Sequence, residues 1–300
     1  YVYKYYLEGF GMDPEKALLI NTEDIGIPEG LDLEDVWGDE AVDLSLRHRH
    51  ARTEHEKLRK EVLHSVDEWC SAYEARIREL GGIGFFLGGI GPDGHIAFNV
   101  RGSDFYSTTR LSPINYETQA ASASDLGGIE VAKKRLTITM GLSTITFNRD
   151  CTAIVMAAGA AKAGIVADAV QKKPDIRYPA TALQQLHGSR FYLTDGAAEK
   201  LTARQLEKFV STEEVNREDI QRIVADLADQ RGKRIADLDE TDYRGNPFSS
   251  ELLRKTGYGI AQTNRFAEEA FREKIEAGMR IRQNRRFLHT EPHHDDIMLW

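Results

Sequence analysis

The five-residue run Ile83-Gly84-Phe85-Phe86-Leu87 constrains this chain more than any other feature. It contains no polar side chain. Gly81-Gly82 stands before it, and glycines at 88, 89, 91 and 94 follow it. The run is too short for a helix and fits a strand buried on both faces of a parallel sheet. Three further segments read as strands of the same sheet: Leu136 to Met140, Thr152 to Ala157 and Arg190 to Thr194. Between the last two, Ala160 to Gln171 has a helical pattern. Strand–helix–strand alternation implies an α/β fold with a doubly wound, mostly parallel, Rossmann-like sheet. Such sheets bind ligands beyond the carboxyl ends of their strands. The loops after Leu87 and Ala157 are therefore where chemistry is expected.

The first of these loops, Gly88-Gly89-Ile90-Gly91-Pro92-Asp93-Gly94-His95-Ile96-Ala97-Phe98-Asn99, carries two candidate catalytic side chains. Glycine lets the backbone turn sharply and come close to a ligand, so Gly89, Gly91 and Gly94 are candidate binding positions. Their N–H groups can cradle an anion. Asp93 beside His95 can fix the imidazole tautomer and raise its basicity, which suits proton transfer near neutral pH. The same residues also fit a glycine-rich turn with a satisfied Asp and His. In the second loop, Gly159-Ala160-Ala161-Lys162 sits where a strand gives way to a helix N-terminus, a place that favours anions. Taken alone, Lys162 reads equally as a solvated helix lysine.

Residues 1–10 look helical, with turns at Gly11 and Asp13-Pro14. Residues 22–45 are acidic and irregular. From about Val42 to Leu80 the pattern is helical, with Val62, Val66, Trp69, Tyr73, Ile77 and Leu80 forming one apolar stripe. His48, His50, His55 and His64 lie among the charges of that segment and read as solvated. After Asp195 the chain turns to charged helices. Ser211 with Glu214 has the capping-box spacing. Ile220, Ile223, Val224 and Leu227 make one stripe; Phe266, Ala270, Phe271, Ile275 and Met279 make another. Arg280, Arg282, Arg285 and Arg286 read as cations complementing a helix C-terminus.

The net charge of −9 argues against a general nucleic-acid binder. Two cysteines, Cys70 and Cys151, imply buried free thiols rather than a disulfide scaffold. No apolar run reaches the roughly 18 residues that span a bilayer, and no signal peptide is visible, so the cytoplasm is the expected location. An opening without Met, and an end directly after a polar cluster, suggest a piece of a longer protein.

The first loop resembles the signature loop of glucosamine-6-phosphate deaminases. The related 6-phosphogluconolactonases share Asp-Gly-His but usually continue with Thr-Ala-Ser instead of Ile-Ala-Phe-Asn. The resemblance continues through Ser107 to Leu111, Leu136 to Gly141, Gly159 to Ala163 and Leu183 to His187. It implies an N-terminally truncated deaminase-like domain over residues 1–200, acting on a small sugar phosphate without a cofactor. In that family the His opens the sugar ring, the loop Asp supports it and a Lys after the later strand contacts phosphate. By position these are His95, Asp93 and Lys162. The family also admits homo-oligomers. Val100 stands where the family has a Glu that helps activate the His, and Ser124 lies where a second phosphate-binding Arg is expected. The rival readings are therefore a non-catalytic sugar-phosphate-binding module and a 6-phosphogluconolactonase-like hydrolase.

Residues 201–285 read as a helical linker or C-terminal extension. In residues 286–300, His293-His294-Asp295-Asp296 follows a strand-like segment. A His and an Asp three residues apart can share a metal, and an intervening Asp can act as base on metal-bound water. A surface acidic cluster is the other reading. The motif resembles the opening of zinc-dependent N-acetylglucosaminyl deacetylases. That resemblance implies zinc ligands at His293 and Asp296, with Asp295 as base, in a complete second domain.

Overall fold

A computed structural model describes residues 2–21, 25–38, 40–124, 128–134 and 136–280. The chain divides into two compact units, Tyr1–Arg204 and Gln205–Trp300.

The first unit is α/β. Strands β1 (Phe85–Gly89), β4 (Thr152–Ala157) and β5 (Arg190–Leu193) form one parallel sheet in the order β1-β4-β5. Phe85 pairs with Thr152 and Gly89 with Met156, while Ala157 pairs with Leu193. The Ala163–Gln171 helix lies in the connection from β4 to β5. Its apolar residues and those of the strands build the main core, with Phe86, Ile90, Ile96, Leu142, Ile145, Val155, Val166 and Leu183 buried.

Two strand expectations need correction. Leu136 to Met140 does not join the parallel sheet. Strand β3 (Leu136–Thr139) pairs antiparallel with β2 (Arg110–Pro113) in a separate two-stranded ribbon. A four-residue run with alternating threonines gives no periodicity from which its partner can be read. Nor is the β1 run buried on both faces. Phe86 points into the core, but Phe85 and Leu87 are exposed, as are Met156 and Tyr192 on the neighbouring strands. The alternating side chains of β1 divide between a packed face and an open one.

The helical pattern from Val42 also resolves differently. The long helix runs only over Glu54–Glu79, because Thr53 caps it, its hydroxyl accepting from the Glu56 N–H at 3.1 Å. Gly81 and Gly82, with φ of 89° and 83°, end it as expected. Val62, Val66 and Ile77 of the stripe are buried, while Leu80 at the C-cap is exposed. His48, His50, His55 and His64 are exposed. Cys70 and Cys151 are buried free thiols, and burial pushes Cys70 up to about 11.

The second unit has a helical core of its own, in which Phe209, Ile220, Ile223, Val224, Leu227, Tyr243, Leu252 and Ala267 are buried. Ser211 does not open a helix; it ends the Thr202–Ser211 helix. The cap of the Arg217–Arg231 helix is Asn216, reciprocated by Asp219. Of the last expected stripe, Ala270 is buried but Ile275 and Met279 are exposed in the final turns of the Ile260–Met279 helix. Arg282, Arg285, Arg286, His293, Asp295 and Asp296 lie outside the described residues.

Candidate active site

The parallel register brings three chain reversals to one end of the sheet. β1 runs into the glycine loop, β4 into Gly159–Lys162 and β5 into Thr194. The Gly159 N–H donates to the Thr194 hydroxyl at 3.1 Å. Lys162 Nζ donates to the Ile90 carbonyl at 2.8 Å. The lysine read as a phosphate contact thus touches the loop that carries Asp93 and His95. Lys162 also stands at the start of the Ala163–Gln171 helix, whose first N–H groups have no side-chain cap.

The glycine loop is pinned by apolar pegs at both ends, Ile90 and Ile96, which are buried in the core. Between them the chain folds back on itself: Gly91 N–H donates to the His95 carbonyl, and Gly94 N–H to that of Gly91. Gly94 adopts a φ of 84°, which favours glycine. Gly91 has a different demand on it. A Cβ there would lie 1.9 Å from His95 Cε1, so the imidazole rests directly on the bare Cα. The Phe98 ring stacks near the imidazole, at 6.0 Å between centroids. Gly89 has no such constraint, since an added Cβ would meet only the Met156 carbonyl at 3.8 Å.

Asp93 is 1% exposed, and the His95 side chain 12%. His95 Nδ1 lies 2.5 Å from Asp93 Oδ1. The other carboxylate oxygen accepts from the Arg101 N–H at 2.9 Å and from Asn115 Nδ2 at 2.7 Å. Burial works against the charged form of Asp93, but the hydrogen bonds from His95 and the Arg101 N–H outweigh it and hold the carboxyl well below its ordinary range. An ionised Asp93 accepting from Nδ1 leaves Nε2 of His95 as the nitrogen able to take a proton.

Several residues around the pair were not foreseen. Asn99 is buried and links the loop to β3 by donating to the Met140 carbonyl at 2.8 Å. Its side-chain oxygen accepts from Arg110 at 2.9 Å, and Arg110 also donates to Ser103 Oγ at 3.1 Å. Burial lowers the pKa of Arg110. Asn115 caps the Tyr116–Ser122 helix, accepting from the Thr118 N–H. Asn99 and Arg110 lie in segments that carry the family resemblance, whereas nothing in the sequence singled out Asn115. Thr109 and Thr144 are tied to a buried carboxylate, Glu74, on the long helix.

An open depression elsewhere is lined by Leu18, Tyr73, Ile77, Ile83, Leu87 and Met140, among other apolar residues. It offers no charged group to a phosphate, so it does not compete with the loop as a sugar-phosphate site. Among the described residues no group of three or more His, Cys, Asp or Glu could hold a metal ion. Among the same residues, no helix is long and apolar enough to cross a membrane.

No family model matches the chain. The glucosamine-6-phosphate isomerase of Candida albicans is 36% identical over 141 residues, 47% of this chain and 56% of that protein. Glucosamine-6-phosphate deaminase 2 of Homo sapiens is 34% identical, over 47% of this chain and 50% of its own length. The glucosamine-6-phosphate deaminase of Mycolicibacterium smegmatis is 39% identical, over 44% and 50%. A solved structure of a monomeric glucosamine-6-phosphate deaminase, described as a missing link of the NagB superfamily, is 29% identical with a TM-score of 0.41, over 45% of this chain and 54% of that one. The chain spans about half the length of the curated relatives it matches. Over the stretch they share, it is similar to the glucosamine-6-phosphate deaminase/isomerase family.

Proposed function

We propose that this chain carries the sugar-phosphate site of a glucosamine-6-phosphate deaminase-type isomerase. The observation that carries the reading is the 2.5 Å contact of His95 Nδ1 with an ionised, buried Asp93 at the carboxyl end of a parallel sheet. In the proposed reaction, Nε2 of His95 relays the proton that leaves the anomeric hydroxyl to the ring oxygen, which opens the pyranose. Asp93 keeps the imidazole in the tautomer that can do this and stabilises the imidazolium formed midway. Lys162, at a helix start that no side chain caps, holds the phosphate. The opened amino sugar would then isomerise to the C2 imine, and addition of water at C2 would release ammonia and leave the ketose phosphate.

Ammonia release from glucosamine 6-phosphate tests this reading. A protein that carries this chain within the complete deaminase domain is expected to release it, and Lys162→Met to raise KM about tenfold or more with a smaller change in kcat, as loss of one charge-assisted contact implies. Tight binding without any ammonia would overturn the enzymatic reading in favour of a binding module. Val100 supports that second reading, because valine cannot orient or deprotonate an imidazole where the family carries a Glu. A binding module should keep most of its affinity in His95→Ala.

For the C-terminal motif we propose zinc ligation by His293 and Asp296, with Asp295 as base, in a complete deacetylase-like second domain. Zinc that is retained through dialysis by a chain completing that domain, and lost in His293→Ala, would support it; no retained zinc would refute it.

A further inference from the structure

Asn115 closes a ring of hydrogen bonds around the candidate catalytic pair. Its Oδ1 accepts from both the Thr118 N–H at 3.1 Å and the Thr118 hydroxyl at 2.6 Å. With its oxygen so occupied, its Nδ2 must face Asp93 Oδ2, at 2.7 Å. The same bookkeeping constrains Thr118. Its one proton goes to Asn115, so towards His95 Nδ1, 3.4 Å away, it can only accept. Asp93 already accepts from the Arg101 N–H and from Asn115, so it too presents an acceptor to Nδ1. Every group around Nδ1 is therefore an acceptor, and the proton must sit on Nδ1.

We infer that Asn115 is a positioning residue, fixing the Asp93 carboxylate and through it the His95 tautomer. It stands 22 residues from Asp93 in sequence, on the cap of the Tyr116–Ser122 helix. The helix start thereby couples to the loop: a shift of this cap would rotate the carboxylate away from the imidazole. The functional importance of this role rests on the isomerase reading above. The tautomer itself does not, and it can be measured without substrate.

The test uses the full chain with ¹⁵N-labelled histidine and long-range ¹H–¹⁵N correlation spectra. The His95 signals are assigned by their loss in His95→Gln. In the wild type, His95 is expected as the Nδ1–H tautomer with a slowly exchanging Nδ1 proton. Asn115→Ser keeps a helix cap but cannot also reach Asp93. Asn115→Asp keeps size and cap but turns the donor into an acceptor facing a carboxylate. In both variants the Nδ1 proton should exchange about tenfold faster or more, the expected cost of losing one hydrogen bond to a charged group. The other histidines should not change. Where ammonia release is measurable, kcat should fall about tenfold with KM little altered. Asn115→Asp carries the reading if Asn115→Ser does not fold. An Nε2–H tautomer in the wild type, or wild-type exchange in either folded variant, would overturn the inference. An absence of ammonia release with the tautomer effect intact would count against the isomerase reading alone.

Discussion

Gly91→Ala is expected to abolish useful turnover while leaving the sheet folded. A Cβ at this position would sit 1.9 Å from His95 Cε1, 2.2 Å from Nδ1 and 2.3 Å from Nε2. No rotation of the methyl relieves three contacts with one ring, so the imidazole has to leave its place. Moving the ring breaks the 2.5 Å contact with Asp93 and the alignment with Phe98. A misplacement of about 1 Å at a reacting group costs roughly 100-fold in rate, and a loss of that order in kcat is expected here. The stability cost should be smaller, about 1–3 kcal/mol for overpacking. Gly84→Ala is the control. Its Cβ would meet nothing within 4 Å, and its effect on turnover should be slight. A Gly91→Ala variant as active as wild type would show that the ring does not act from the place described.

The largest stability effect is expected at Glu74. This carboxylate is 6% exposed and joins three parts of the first unit. One oxygen accepts from the Thr109 N–H at 3.1 Å, the Thr109 hydroxyl at 2.9 Å and the Thr144 hydroxyl at 2.6 Å; the other accepts from Arg78 at 2.8 Å. Glu74→Ala strands the buried donors of Thr109 and Thr144, and urea unfolding should report a loss of about 3 kcal/mol or more. Glu74→Gln, which keeps an acceptor, should lose less. Burial opposes the charge on Glu74, but the bonds from Thr144, Arg78 and Thr109 prevail and lower its pKa. The sign follows from linkage. Its stabilisation is fully present above the unfolded glutamate value of about 4.3 and is lost as pH falls through the lower folded value. Asp93 is depressed in the same direction, so acid unfolding should steepen below about pH 4, and Glu74→Gln should flatten part of that slope. A slope unchanged by Glu74→Gln would contradict this assignment.

The parts of the fold legible in the sequence were those fixed by local rules. Gly81-Gly82 stopped a helix, an apolar run became β1, and the glycine loop at its end brought Asp93 to His95. β4, β5 and the helix between them followed from alternation. The illegible parts depended on partners far away in the chain. Nothing local tells a four-residue strand such as Leu136–Thr139 that its neighbour is Arg110–Pro113 rather than β1. Glu74 lies in a helix crowded with charges, and only Thr109 and Thr144, 35 and 70 residues on, mark it as buried. Asn115 was not singled out in the sequence, and its cap on the Tyr116–Ser122 helix emerges only in the structure. Its second bond, to Asp93, is a tertiary contact with no spacing signature.

The most direct test of the site is the rate of α/β anomer exchange of glucosamine 6-phosphate, followed by magnetisation-transfer NMR in the presence of the protein. Ring opening requires only the proton relay assigned to His95, so it isolates that step from ammonia release. Exchange is expected to be faster than in buffer, saturable in the sugar phosphate and lost in His95→Gln and Gly91→Ala. Exchange at the buffer rate with the sugar phosphate bound, or acceleration that survives His95→Gln, would contradict the relay assigned to His95.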